Sequence, residues 1–281
     1  ALPRAFRTMT DPADCGPVTL SMCQDVQAEA FDYTVSFFEP QVWYQRRIRP
    51  DIGELARVAE AVKTAKNPVI IAGGGVHYSD ACADLQAFAE AHGIPVAETQ
   101  AGKSALAWDH PLNLGPIGVT GGEPANDVCE KADLVLGVGT RFQDFTTGSW
   151  GLFANPQRKV ISLNIAAYDA AKHGAMPLMA DAKIGLAELG DAIDGYKVDI
   201  GVAPLKADWF GKVDPLTEAP KKGTALPTDM QVVGAVQRSA TEETVAMCAA
   251  GTMPGELHKL WKANKPGAYH MEYGFSCMGY E

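Results

Sequence analysis

From about residue 50 onward, apolar positions alternate between helical spacing and short unbroken runs. Between Ile52 and Ala65 the residues Ile52, Leu55, Val58, Ala59 and Val62 recur at steps of three and four, which places them on one face of a helix. Asn67-Pro68 ends that pattern, and Val69 to Ala72 follows as a compact apolar stretch. The same alternation predicts helices over 79–91, 124–131 and 181–193, the last carrying Ile184, Leu186, Leu189 and Ile193, and strands over 94–97, 134–137 and 160–164. Short apolar strands without a polar alternate position belong to parallel sheets covered on both faces. The pattern therefore predicts an α/β fold whose centre, residues 50–195, is a doubly wound parallel-sheet domain.

The flanks read differently. Residues 1–40 hold a helix end, the strand-like stretch Gly16-Pro17-Val18-Thr19-Leu20-Ser21-Met22 and an aromatic-rich tail, too little to close a hydrophobic core. Residues 196–227, with Pro204, Pro215, Pro220, Gly223 and Pro227 and weak periodicity, read as a linker. From Thr228 a further unit begins, with a helix over 230–239, a buried strand over 245–249 and a helix over 257–263. It runs into a glycine-rich turn, 273–280, that should lead to another helix, so both flanks are expected to be incomplete α/β pieces. A start at Ala1-Leu2-Pro3 without methionine is in keeping with an internal segment.

Charge and composition narrow the partners. A formal net charge of -10 over 281 residues, with a pI near 5.1, argues against nucleic acid or an anionic membrane surface, both of which require a concentrated basic patch. The one basic cluster, Arg46, Arg47 and Arg49 beside Trp43 and Tyr44, is either a phosphate contact or a solvated linker. No apolar run has the length of a membrane span or a signal peptide. Six widely spaced cysteines lack zinc-site spacing and are too sparse for a disulfide-stapled secreted protein, so reduced, mostly buried thiols in a cytoplasmic protein are expected.

Glycine turns carry the candidate chemistry. Gly73-Gly74-Gly75 follows a strand and precedes a helix, the place where backbone amides can meet a phosphate, but it lacks the GxGxxG and P-loop spacings; tight-turn packing is the alternative. Gly118 to Gly122 and Gly137-Val138-Gly139-Thr140-Arg141 lie at comparable places, and the three turns could converge on one crevice at the carboxyl edge of the sheet, where an ADP or FAD group is conceivable. Gly251-Thr252-Met253-Pro254-Gly255, between a strand and a helix, is the best local candidate for a diphosphate, with a plain sharp turn as the alternative. The six histidines form no HExxH or cysteine cluster, His92 reads as a helix-terminal group, and no GxSxG occurs.

An ordered series of segments resembles the family of thiamine-diphosphate enzymes that includes acetolactate synthase and pyruvate oxidase. It comprises Gly16 to Leu20 with Gln24-Asp25-Val26, Ala65 to Gly75, Gly93-Ile94-Pro95-Val96 through Gly102-Lys103, His110-Pro111-Leu112, Ala132 to Phe142, and Asp181-Ala182-Lys183. Within the family, residues 248–261 and 269–281 are more similar to the ring-opening hydrolases of inositol catabolism than to the decarboxylating members. The resemblance implies three α/β domains, with residues 1–40 the end of a pyrimidine-binding domain and its linker, 50–195 the central domain, 196–227 a linker, and 228–281 the start of a diphosphate-binding domain. It implies thiamine diphosphate and Mg2+ as cofactors of the full-length parent, a small polyol-derived cyclic diketone as substrate, hydrolytic C–C cleavage to 5-deoxy-glucuronate, and a homodimer or homotetramer.

The resemblance also places residues. Gly251, Thr252, Met253 and Gly255 fall on the diphosphate side, and Ser276, Cys277 and Met278 near the bound cofactor, with Met278 as apolar support for its middle. His258 either approaches the substrate or faces solvent on its helix. The family's activating glutamate and its magnesium-binding Gly-Asp-Gly and Asn have no counterpart in this sequence, so the isolated chain is expected to be inactive, and Glu272 and Glu281 are no substitutes.

Overall fold

The computed structural model describes residues 1–219, 226–272 and 277–280. The chain divides into two compact units, residues 1–48 and 49–281. In the first, helix α1 (Leu2–Met9) has Pro3 in its first turn, where a missing N–H leaves no gap, and α2 (Gln24–Ala28) is little more than one turn. The stretch 16–22, read above as strand-like, pairs with no strand among the described residues and is irregular: a strand exists only against a neighbour. Phe31, Tyr33, Phe37 and Phe38 form an exposed aromatic cluster, with Tyr33 and Phe37 centroids 4.8 Å apart.

The second unit opens with α3 (Ile52–Lys63), which Asp51 caps by accepting the Gly53 and Glu54 amides. Next come β1 (Pro68–Ala72), the short α4 (Gly74–Tyr78), α5 (Cys82–His92), β2 (Val96–Glu98) and β3 (Asn113–Pro116). The chain continues through α6 (Glu123–Lys131), β4 (Leu134–Val138), the short α7 (Asp144–Thr147), β5 (Lys159–Asn164), the short α8 (Ala167–Ala171), β6 (Met176–Met179) and α9 (Ala182–Ala192). The six strands form one wholly parallel sheet in the order β3-β2-β1-β4-β5-β6. Alternation along β1 divides the core: Ile70 and Ala72 join Val62, Leu85, Leu136 and Leu189 on one face, whereas Val69 and Ile71 join Val135, Cys129, Phe142 and Ile117 on the other. Every residue of β1 and β4 is buried, the two-sided coverage that their unbroken apolar runs predict.

Two strands were illegible in the pattern. β3 and β6 contain Gly115 and Pro177, ordinarily turn signals, yet both lie at sheet edges, where a proline need not give a ladder bond to a second neighbour. Polar ties hold the connections. Asp133 accepts the Lys66 and Asn67 amides, joining the starts of β4 and β1. Arg158 is buried and donates to the carbonyls of Glu130, Ala132 and Leu152, neutralising the unpaired end of α6.

The stretch read as a linker contains α10 (Val202–Val213), with Pro204 in its first turn and Trp209 packed on Gly122. Few of its residues are fully buried, which is why its apolar period was faint. Beyond it, α11 (Asp229–Ser239) begins with a full capping box between Thr228 and Gln231. Then follow β7 (Ala246–Cys248), α12 (Thr252–Leu260) and β8 (Tyr269–Met271), with β7 and β8 paired in parallel as a separate two-stranded sheet. α12 starts five residues before the expected Leu257, because Pro254 falls in its first turn and does not break it. The cysteines depart in part from expectation: no disulfide joins them, but only Cys129 is buried, while Cys15, Cys23 and Cys277 are exposed. Among the described residues no helix is long and apolar enough to cross a membrane.

Candidate functional site

Parallel pairing brings the carboxyl ends of β7 and β8 to the same edge of the small sheet. From β7 the chain enters Gly251, whose φ of +144° is open to glycine and strained for any other residue. No side chain caps α12, so its first amides point from the turn without a side-chain acceptor, and Gly251, Thr252 and Met253 are exposed there. From β8 the chain enters Glu272, which accepts the Cys277 amide at 3.4 Å. Cys277 is exposed, with its thiol pushed up by desolvation and by Glu272; Met278 is 79% exposed, and Tyr280 stacks on His270 and hydrogen-bonds it.

The sequence-derived set therefore splits. Gly251, Thr252, Met253, Cys277 and Met278 belong to the two segments leaving the carboxyl edge of β7 and β8. Gly255 does not join them: it is buried, and a Cβ there would lie 3.1 Å from Thr120 Cγ2. Ser276 lies outside the described residues. Met278 and Tyr280 are exposed.

His258 faces neither solvent nor the open turn. It is fully buried, with Nδ1 2.9 Å from the Thr120 hydroxyl and 3.2 Å from the Thr120 carbonyl, while Nε2 has no hydrogen-bond partner among the described residues. Burial, with Lys103 as a second cause, pushes its pKa down to about 3, so the ring is neutral at physiological pH.

Sequence reasoning missed the polar cluster beside it. Glu98, at the end of β2, and Lys103 are both almost wholly buried; desolvation raises the Glu98 carboxyl and lowers Lys103 to about 8, each partly offset by the other's charge. Lys103 lies 5.6 Å over the Tyr269 ring, and adjoining Ser104, at φ +74°, accepts the Gly267 amide. A cavity of about 30 Å³, room for a water or two, is lined by Glu98, Lys103, Lys206, Trp209 and Trp261 among others. Glu98 at the end of an apolar strand was the available signal, but one polar residue there is indistinguishable in sequence from an ordinary loop residue.

Two of the three glycine turns of the large sheet meet through their backbones. Gly75 donates to the Gly139 carbonyl at 3.0 Å, and a Cβ on Gly75 would come within 2.6 Å of Gly139 Cα, while one on Gly73 would overlap the Gly139 carbonyl. These glycines let two turns touch, the tight-turn alternative. His92 is likewise structural, its Nδ1 2.8 Å from the Tyr196 carbonyl.

A wholly parallel sheet of this order beside a glycine turn on a second small parallel sheet defines a class. Residues 55–189 match the central domain of thiamine pyrophosphate enzymes. Over its length the chain is similar to the thiamine-diphosphate-dependent enzymes of the acetolactate-synthase-like superfamily. Among its relatives are the 3D-(3,5/4)-trihydroxycyclohexane-1,2-dione hydrolases of Bacillus subtilis, 39% identical over 306 residues, Bacillus velezensis, 42% over 307, and Halalkalibacterium halodurans, 42% over 306. Each alignment covers 100% of this chain and 48% of the relative, so the chain spans about half the length of the curated relatives it matches.

Proposed function

We propose that this chain is the central and cofactor-proximal part of a hydrolase that uses thiamine diphosphate to open the ring of a polyol-derived cyclic diketone, the trihydroxycyclohexane-1,2-dione in its relatives' names. The observation that supports the reading is the start of α12 behind Gly251: a glycine at positive φ is followed by the exposed Thr252 and Met253, whose amides no side chain caps among the described residues, a setting in which backbone N–H groups can meet an anionic group such as a phosphate. Gly251, Thr252 and Met253 would hold the diphosphate, and Ser276, Cys277 and Met278 would flank the thiazolium side. The cofactor supplies the electron sink for C–C cleavage. The fit is partial: among the described residues no group of three or more acidic, histidine or cysteine side chains gathers as a cation site for Mg2+. On this reading residues 1–40 end the pyrimidine-binding domain, 228–281 begin the diphosphate-binding domain, the parent assembles as a homodimer or homotetramer, and the chain alone turns over no substrate.

A chimera tests this, with this chain replacing the matching 48% of the Bacillus subtilis relative. We expect it to consume the cyclic dione only with thiamine diphosphate and Mg2+ present. A chimera that binds the cofactor yet acts on a 2-keto acid and leaves the dione untouched would transfer the assignment to another lyase or synthase of the superfamily.

A further inference from the structure

We propose that His258 is a positioning residue, which pins α12 to the central sheet through Thr120 and so fixes where the Gly251–Met253 turn stands; its bearing on cofactor binding rests on the function proposed above. The anchor is rigid. Thr120 sits in the turn between β3 and α6, where Gly118 has φ +100° and no room for a Cβ against the Phe145 carbonyl. Asn126 holds that turn from both sides, accepting the Gly118 amide at 2.8 Å and donating to the Gly118 carbonyl at 3.1 Å. Val119 donates to the Phe145 carbonyl and Gly121 to that of Gly118.

Both polar groups of one residue meet the ring: His258 Nδ1 lies 2.9 Å from the Thr120 hydroxyl and 3.2 Å from the Thr120 carbonyl, so Thr120 can serve this nitrogen as donor or as acceptor. Gln100 Nε2 donates to the same hydroxyl oxygen at 3.2 Å. Gln100, Thr120 and His258 thus form a hydrogen-bonded chain from the large sheet's loops into the middle of α12. The same threonine's methyl meets Gly255, one turn earlier on α12, where any larger residue would push the helix away. Two contacts from one threonine, to positions 255 and 258, fix both the rotation and the height of the helix start.

A fully buried histidine with one satisfied nitrogen is a costly way to fill space, and a leucine would pack with less desolvation. Its directional bond supplies what a leucine cannot, a single register for α12. Its ring is fully buried, whereas Gly251, Thr252 and Met253 are exposed, so it acts on that turn through the helix.

Four variants test the pin by amide hydrogen exchange of this chain. His258→Asn keeps an acceptor at the δ position, His258→Gln moves it to the ε position, His258→Ala removes it, and Thr120→Val removes the hydroxyl at constant volume. We expect exchange in residues 251–257 to rise at least about tenfold in the Ala, Gln and Val variants, the scale of a lost buried hydrogen bond, and to stay within about threefold of the parent in His258→Asn. Exchange in β1 and β4 should not change in any of them. Unaltered exchange in Thr120→Val, or an Asn variant as perturbed as Ala, would overturn the proposal even if His258→Ala failed to fold. The same variants in the chimera, titrated with thiamine diphosphate, separate the two readings: loosened exchange with weaker cofactor binding supports both, whereas loosened exchange with unchanged affinity keeps the pin and removes the diphosphate from this turn.

Discussion

The two parallel sheets of this unit solve the same problem with unequal means. In the six-stranded sheet every residue of β1 and β4 is buried, and helices on both faces supply two separate apolar clusters. In the two-stranded sheet Met247 and His270 are exposed, and the cluster beneath consists of Trp261, Ala263, Ala268 and Tyr269. A pair of three-residue strands is not self-supporting. What it lacks in core it takes from the loops of its neighbour: Trp108 donates to the Ala263 carbonyl, Gly267 to Ser104, and His258 pairs with Thr120. The larger sheet is stabilised by its own burial, the smaller one by docking.

Three measurements can break or sharpen that contrast. The largest effect should come from Trp261→Ala, which removes the main apolar group under the small sheet at a cost of about 3–5 kcal/mol. Hydrogen exchange should show the loss in β7 and β8 with β1, β4 and β5 still protected, and a collapse of both sheets together would mean that they are one cooperative body. Gly73→Ala should cost the large sheet about 3 kcal/mol, because its methyl group would meet the Gly139 backbone, which cannot retreat. Thermal unfolding reads this directly, and an unchanged melting temperature would show that the two turns have slack.

The smallest effect is a pH dependence from Lys103. Its pKa is about 8 in the folded chain and about 10.4 unfolded, so across that window the unfolded chain binds more protons and stability rises with pH. Denaturant melts of the parent and Lys103→Met should therefore shift in the parent's favour between pH 8 and 10, by at most about 3 kcal/mol. A flat difference would mean that Lys103 reaches water. His258 acts in the same sense at acid pH: held near 3 against about 6.5 unfolded, it removes stability as pH falls through that range.

Legibility in the sequence followed burial. β1, β4 and α3 were plain because their environment is uniformly apolar on the faces concerned. β3, β6 and α10 were hidden because edge strands tolerate glycine and proline and a lightly buried helix needs few apolar positions. The Gly251 turn was visible because a glycine between a strand and a helix has few uses. The roles of His258 and Lys103 were not, since each depends on a partner far along the chain, Thr120 for one and Glu98 and Tyr269 for the other. Spacing rules describe neighbours within one element and carry no information on such pairings.

The bond from Gly267 to Ser104 spans 163 residues. Read as a folding event, it closes one of the longest loops in this unit, and contacts of that separation form late. Every strand of the large sheet has been synthesised by Met179, well before α12 begins at Thr252, so that sheet can assemble ahead of α12 and β8. The small sheet then meets a finished surface whose threonine and serine already stand in place, and its arrangement is templated by what folded before it.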